Sequence, residues 1–294
     1  MENQPIKVEG VQVFAWAGPG SWEPPQEPNE KHHCIQWRQY GFKNEQDFSS
    51  AIATMRSVKE NDLIWIRTSK FNYLSRVKSN RHNNSFEAFE SATIVPMVDV
   101  YDFIKIGYWV ELPGFVQWQT DHPAATFKRI EDIEKITTAI YNSFKGEDIY
   151  ETKSFSRIDW FTKMLSPYQD IEDIVGLYLQ HEKDYLIFNE TYRQWYLGGE
   201  GCFMVKKDGS HKCYFHVLLD EYFRNLLNED DFIRLTENGK NYVYLFATDP
   251  KFIKEYDNEK IIYLDADEIL NFTKTHEYLL PERMKQWLHY VTTP

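Results

Sequence analysis

The residues best suited to chemistry lie between positions 166 and 218. Glu172 stands at the start of an acidic helical pattern, Glu200 lies between two glycines, and His216 interrupts an apolar run. Carboxylate oxygens are ligands that Mg²⁺ prefers, and a histidine can exchange protons near neutral pH. Each residue also has an ordinary structural role. Glu172 would suit the positive end of a helix dipole, Glu200 a turn, and His216 a hydrogen-bonded core position.

The elements that must position these residues follow a recognisable order. Apolar residues at helical spacing predict a helix over Ile171–Glu182, and two short apolar runs predict strands at Tyr185–Phe188 and Cys202–Val205. Asp-Gly within 207–210 predicts a hairpin turn, so Lys212–Leu219 is the returning strand. Downstream, the sequence predicts strands Tyr242–Ala247 and Lys260–Leu264 and helices Asp265–Lys274 and Pro281–Tyr290. Helices that flank a mixed sheet indicate an α/β or α+β domain.

This order resembles the core of the PD-(D/E)xK restriction-endonuclease superfamily, especially its Mrr-like branch. The blocks that carry the resemblance are the acidic helix, G-G-E-G-C-F-M-V at 198–205 and C-Y-F-H-V-L at 213–218. The resemblance implies Mg²⁺-dependent cleavage of nucleic acid, with Glu172, Glu200 and His216 as catalytic residues and Glu200 as the metal ligand. The position of the usual lysine is Leu218, which supplies neither charge nor proton. The implied domain is therefore degenerate, or it is active without this lysine.

The pattern before residue 150 is different, and a domain boundary is predicted there. Short apolar runs separated by turn signals predict a strand-rich, barrel-like fold over residues 1–150, with the second domain over 151–294. The predicted strands are Val11–Ala17, Cys34–Trp37, Leu63–Arg67, Tyr73–Val77 and Ile94–Val100, and the predicted helices are Glu45–Val58 and Ile130–Phe144.

Three segments of the first half resemble EVE-like members of the PUA superfamily. They are V-F-A-W-A-G-P-G-S-W at 13–22, C-I-Q-W at 34–37 and N-D-L-I-W-I-R at 61–67, and Ser75 stands where the family tends to have a glycine. The resemblance implies a β-barrel whose aromatic pocket reads a nucleobase, often a modified one. The candidate base-binding residues are Trp16, Trp37, Trp65, Tyr73 and Arg67. Aromatic residues at alternating strand positions are also ordinary core residues.

Composition bears on the partners that can be expected. The net charge of −12 counts against an extended nucleic-acid surface, yet residues 61–85 hold five basic side chains and one acid, Asp62. This segment predicts either a local basic patch or a solvated loop of mixed charge. Three cysteines without a CxxC pair indicate free thiols, and the chain has no run of eighteen apolar residues. We therefore expect a cytoplasmic protein without a membrane partner.

Three functions remain open at this stage. The first is recognition of nucleic acid, in particular modified DNA, by an EVE-like reader joined to a degenerate nuclease-like domain in anti-phage defence. The second is an active Mg²⁺-dependent restriction endonuclease that acts on modified DNA. The third is an acidic protein-interaction module. The sequence also leaves open the choice between DNA and RNA and the formation of a homodimer.

Overall fold

The computed structural model describes residues 4–17, 34–36, 53–86, 93–108, 111–120, 127–151, 154–165, 170–187, 202–218, 234–236, 239–249 and 258–288, with the single positions 251, 253, 256 and 291. The chain forms two compact units, Met1–Ser154 and Phe155–Pro294, and the predicted α+β class is confirmed. The division lies close to the boundary that the sequence predicts. Within the described residues, no helix combines the length and the apolarity that a membrane span requires.

The described part of the first unit contains one seven-stranded sheet and several helical segments. Its strands are β1 (Val13–Ala17), β2 (Cys34–Gln36), β3 (Leu63–Arg67), β4 (Asn72–Phe86), β5 (Thr93–Val100), β6 (Ile104–Gly107) and β7 (Phe127–Ile130), and its helices include α1 (Gly114–Thr120) and α2 (Glu134–Lys145). The strand order is β2–β5–β4–β3–β1–β7, and β6 pairs with β4. Only β1 and β3 are parallel among these pairs. The path is open among the described residues, so the predicted closed barrel is not found there.

Strand alternation divides the core of this unit between the two faces of the sheet. Phe14 and Trp16 of β1 share a buried cluster with Ile64 and Ile66, the residues that pair with them in β3. Trp65 points to the opposite face, since successive strand side chains alternate. There its indole Nε1 donates a hydrogen bond to Oγ1 of Thr137 at 3.2 Å, which fastens α2 to the sheet.

The observed helix α2 starts later than its apolar spacing predicts. Ile130 is the last residue of β7, and Asp132, with a positive φ of 61°, separates that strand from the helix. The predicted helical start at Ile130 is therefore wrong. Ile136 and Ile140 are buried, whereas Phe144, in the last turn of the helix, is 40% exposed. Gly146 ends the helix in the left-handed region.

The second unit contains a five-stranded mixed sheet. Its strands are β8 (Tyr185–Ile187), β9 (Cys202–Lys206), β10 (Lys212–Leu218), β11 (Tyr242–Ala247) and β12 (Ile261–Leu264). The order is β12–β11–β10–β9–β8, with β10 at the centre. Strands β8, β9 and β10 pair antiparallel, and β10, β11 and β12 pair parallel. A central strand is covered on both faces, and Cys213 to Leu218 are all buried.

The second unit also contains helices. They are α3 (Arg157–Asp159), which continues as a π-helical turn over Trp160–Met164, α4 (Asp170–Glu182), α5 (Ala266–Thr275) and α6 (Glu282–Leu288). A methyl group placed on Gly176 of α4 would be in van der Waals contact with the Phe215 ring, so α4 covers the Phe215 face of β10. The carboxylate of Asp170, at the start of α4, forms a two-pronged ion pair with Arg283 of α6.

Candidate nucleic-acid interface

The predicted catalytic residues do not share one site among the described residues. Glu172 is partly exposed on α4, which covers the Phe215 face of β10. His216 is buried on the other face of that strand, where its ring lies near Tyr214. The side chain of His216 and the helix that bears Glu172 are thus on opposite sides of the sheet. Glu200 lies outside the described residues, and the three catalytic roles stay predictions.

The lysine position of the implied nuclease motif is part of an apolar cluster. Leu218 is 3% exposed and packs with Tyr214, Leu235, Val243 and Leu245. A lysine ammonium at this position would be taken out of water, which is costly without a charged partner. Within the described part of the chain, no group of three or more His, Cys, Asp or Glu side chains is placed to hold a metal ion. The Mg²⁺ site predicted on Glu200 lies outside that part.

The predicted base-reading residues occupy different environments. Trp16, Trp65 and Tyr73 are buried in the first unit, where protein atoms cover their rings. Arg67 is partly exposed at the end of β3. Trp37 lies outside the described residues. No contact with a base follows from these placements, and the base-binding roles stay predictions.

An accessible aromatic surface lies instead beside the β3–β4 turn, at residues that the sequence did not single out. The rings of Phe71 and Tyr108 have their centroids 5.0 Å apart, and Lys105 places its Nζ 3.3 Å from the centroid of the Phe71 ring. Tyr108 is 58% exposed, and Phe71 is partly buried against the core. We call Phe71, Lys105 and Tyr108 the aromatic–lysine platform.

Local hydrogen bonds hold Phe71 in place. The hydroxyl of Thr68 donates to the carbonyl oxygen of Phe71 at 2.7 Å and accepts from the backbone N–H of Phe71 at 3.1 Å. The Thr68 backbone N–H also donates to that carbonyl at 3.0 Å. Threonine and serine hydroxyls that bond nearby backbone groups fix turns in this way. The turn therefore presents Phe71 in a defined orientation next to the exposed Lys70.

Tyr108 is held by a contact that requires glycine at the preceding position. A carboxylate oxygen of Glu111 accepts a hydrogen bond from the backbone N–H of Tyr108 at 2.5 Å. Gly107 has a φ of 147°, and a Cβ at this residue would lie 2.2 Å from the same oxygen. Only glycine tolerates both the conformation and the close approach. The side-chain amide of Asn72 donates to the Gly107 carbonyl at 3.3 Å and links this segment to β4.

The basic residues of segment 61–85 do not form one uniform patch. Lys70 and Lys78 are exposed. The guanidinium of Arg76 instead lies 4.0 Å from the centroid of the Tyr101 ring, in a cation–π contact that occupies it within the protein. The side chain of Arg81 lies outside the described residues. Lys105 is therefore the cation of the platform itself, and Lys70, the residue before Phe71, and Arg67, at the end of β3, are the neighbouring ones.

The signal that could have found the platform is an aromatic residue beside a lysine in a turn. T-S-K-F at 68–71 places Phe71 directly after Lys70, between two strong strand patterns. An aromatic side chain in a turn has no sheet neighbour on the next strand to cover it, whereas Trp16 and Trp65 lie within strands and are packed from both sides. The strand tryptophans were thus the more conspicuous candidates and the less accessible ones.

In the second unit, a cluster of hydrogen-bonded polar side chains holds the β9–β10 hairpin. The hydroxyl of Tyr185 lies 2.8 Å from Nε2 of His211 and 3.4 Å from the hydroxyl of Tyr244, and Nδ1 of His211 lies 2.8 Å from Oγ of Ser210. Burial raises the pKa of both tyrosines, so they stay protonated and can donate hydrogen bonds. The chain of bonds connects the exposed turn to strands β8 and β11.

Comparison of the chain with protein-family models, with curated proteins and with solved structures found no match in any of the three.

Proposed function

We propose that the first unit binds nucleic acid through the aromatic–lysine platform. The observation that carries the proposal is the exposed ring of Tyr108, 5.0 Å from Phe71 and beside the Lys105 ammonium. An unstacked base loses its neighbours, and an exposed aromatic ring restores about 1–3 kcal/mol of stacking per base. Lysine ammonium groups at the same place neutralise backbone phosphates.

The substrate we propose is DNA with an accessible base, either single-stranded or turned out of the duplex, and modified DNA in particular. The platform is small and the chain is acidic overall, with a net charge of −12. Such a protein gains little from a long run of phosphates, so binding must depend on base contacts. A base that is already single-stranded or turned out of the duplex supplies such a contact at a low unstacking cost.

We extend the proposal to a reader of the EVE-like class joined to a nuclease-like unit that does not cut, acting in defence against phage. The helix α4, strand β8 and hairpin β9–β10 follow one another in the order that the resemblance implies. The burial of Leu218 among apolar side chains supports the absence of cutting, because the motif lysine has no charged surroundings to occupy there.

The test is fluorescence anisotropy with labelled oligonucleotides at low salt. The set comprises single-stranded and duplex DNA carrying cytosine, 5-methylcytosine or 5-hydroxymethylcytosine, and the corresponding RNA. Replacement of the exposed ring in Tyr108→Ala should weaken binding by about 5-fold to 150-fold, which corresponds to the loss of about 1–3 kcal/mol of stacking. Tyr278→Ala is the matched control, since Tyr278 is a comparably exposed tyrosine, at 66%, in the second unit.

Other outcomes would replace the proposal. Equal loss of binding in Tyr108→Ala and Tyr278→Ala would show that the platform is not the site. Phosphate contacts are strongest at low salt. Lack of binding to every oligonucleotide under that condition would therefore favour the acidic protein-interaction module. Cleavage of modified DNA with Mg²⁺ that Glu200→Ala abolishes would establish the active endonuclease.

A further inference from the structure

We propose that His181 and His276 form a transition-metal site in the second unit. Their imidazole centroids lie 5.6 Å apart with an angle of 49° between the rings. A metal–nitrogen distance of about 2.0–2.1 Å and a tetrahedral angle place two ligating imidazole centroids about 5 Å apart. The observed spacing exceeds that value by about half an ångström, which a rotation of the exposed His181 side chain would close.

The hydrogen bonding of His276 matches that of a metal ligand. Its Nδ1 lies 3.2 Å from the carbonyl oxygen of Phe272, and its ring stacks on the Phe272 ring with centroids 4.4 Å apart. A carbonyl can only accept, so Nδ1 carries the proton and Nε2 keeps its lone pair. A ligating histidine usually donates its second ring N–H to such a carbonyl, which fixes the tautomer and the ring orientation.

The two histidines also lie where helix ends favour positive charge. His181 is in the last turn of α4, and His276 directly follows the last residue of α5. The carboxyl end of a helix carries partial negative charge from its unpaired carbonyl groups, which attracts a cation. His181 is exposed, so an ion can enter from solvent.

The donor set selects the ion. Imidazole nitrogen suits Zn²⁺, Cu²⁺ and Ni²⁺, whereas Mg²⁺ requires oxygen ligands. No third His, Cys, Asp or Glu completes the group within the described residues, so water fills the remaining positions. An ion on this pair would join the ends of α4 and α5. It would stabilise the folded state by RT ln(1 + c/Kd), where c is the concentration of the free ion and Kd is its dissociation constant.

The experiment uses the full chain without an affinity tag, stripped of metal by a chelator. Calorimetric titration with Zn²⁺ and with Ni²⁺ should show one site, accompanied by a rise in Tm, and excess Mg²⁺ should not compete. His181→Ala should lower the affinity at least about tenfold, since even the loss of an outer-shell partner costs that much. His181 is exposed, so this substitution tests the site without threatening the fold. His276→Ala should have the same effect.

Two variants serve as controls. His211→Ala removes a histidine that is hydrogen-bonded to Ser210 and Tyr185, and the double variant His32→Ala and His33→Ala removes the adjacent pair of the first unit. Both should bind Zn²⁺ as the wild type does. The proposal is overturned if the wild type binds neither ion, if His181→Ala binds with unchanged affinity, or if only the 32–33 double variant abolishes binding.

Discussion

Residues capable of chemistry differ in their access to solvent between the β3–β4 turn and strand β10. Strand β10 is central in its sheet, so His216 and Leu218 are packed from both faces and have no access to solvent. At the β3–β4 turn the chain leaves the sheet, and Phe71, Lys70 and the neighbouring Tyr108 remain accessible. A binding surface needs partial exposure as well as suitable residue types, and only the turn meets both conditions.

The largest effect that separates the two regions is expected at position 218. Leu218→Lys restores the residue type of the implied nuclease motif but places an ammonium in an apolar cluster. We expect the free energy of unfolding to fall by at least about 3 kcal/mol, the range for an uncompensated buried charge, without any gain of Mg²⁺-dependent cleavage. Urea denaturation and a DNA-cleavage assay measure both outcomes.

Leu218→Met is the control for this substitution, since a swap of similar volume costs less than about 1.5 kcal/mol. A lysine variant with wild-type stability and new nuclease activity would show that the end of β10 belongs to a catalytic site. Strand β10 would then be as suitable for a functional site as the β3–β4 turn.

A smaller effect is expected at the platform from Gly107→Ala. The added Cβ would meet the Glu111 carboxylate and break its hold on the Tyr108 N–H, in addition to straining the backbone. We expect a loss of about 1 kcal/mol of stability or more and weaker binding of oligonucleotides. Gly10→Ala is the matched control, because Gly10 has a φ of 96° but no atom within contact distance of an added Cβ. Equal binding by the two variants would contradict a positioning role for Glu111.

The charge of the platform should be visible in the salt dependence of binding. Lys105→Gln removes one ammonium near the aromatic rings. We expect the slope of log K against log salt to decrease by about 0.7–0.9, the value for one phosphate contact, across all oligonucleotides tested. Lys135→Gln, at an exposed lysine of α2 in the same unit, should leave the slope unchanged. A slope equal to that of the wild type in Lys105→Gln would place the phosphate contacts elsewhere.

The smallest effect concerns the pH dependence of stability. It arises at Asp159 of α3, a residue outside both the β3–β4 turn and strand β10. Burial alone would raise the pKa of Asp159, but hydrogen bonds from Lys163 and Ser156 outweigh it, and the pKa is lowered from 3.8. A lowered pKa in the folded state stabilises the protein above the unfolded value, and this stabilisation is lost as the pH falls through the folded value. Because the side chains of Asp159 and Lys163 are both partly exposed, their interaction contributes about 0.5 kcal/mol to the free energy of unfolding.

Unfolding free energies of the wild type and of Asp159→Asn, measured from pH 6 to pH 2, test this. The wild-type advantage should disappear in the acidic part of the range. A difference between the two curves that stays constant with pH would mean that the charge of the Asp159 carboxylate does not stabilise the start of α3.

Much of the fold could be predicted because strand periodicity reports local burial. The predicted strands Leu63–Arg67 and Tyr242–Ala247 coincide with β3 and β11, and the helix predicted over Ile171–Glu182 coincides with α4 to within one residue. Strand β7 and the π-helical turn at Trp160–Met164 were missed. The first is only four residues long, and the second depends on packing of Trp160 and Phe161 that periodicity does not encode.

The candidate site was harder to predict than the fold. Glu111 holds the backbone N–H of Tyr108 in space that Gly107 leaves open, and the contact between Phe71 and Tyr108 joins a turn to a segment more than thirty residues away. Neither fact is contained in a local pattern. Trp16 and Trp65, which the sequence favours as base-binding residues, instead fill the core, because large aromatic side chains serve both purposes equally well.

The turn that presents Phe71 also has a consequence for the order in which the first unit folds. Arg67 and Asn72, the pair that closes the β3–β4 hairpin, are five positions apart, whereas the parallel pair Val13 and Leu63 is separated by fifty. Closing the shorter loop costs less chain entropy and is faster. We therefore expect the hairpin to form early and the β1–β3 pairing to follow it. Substitution of Thr68 should then slow refolding more than it accelerates unfolding, so that the segment proposed to contact the ligand also sets the rate at which its own scaffold assembles.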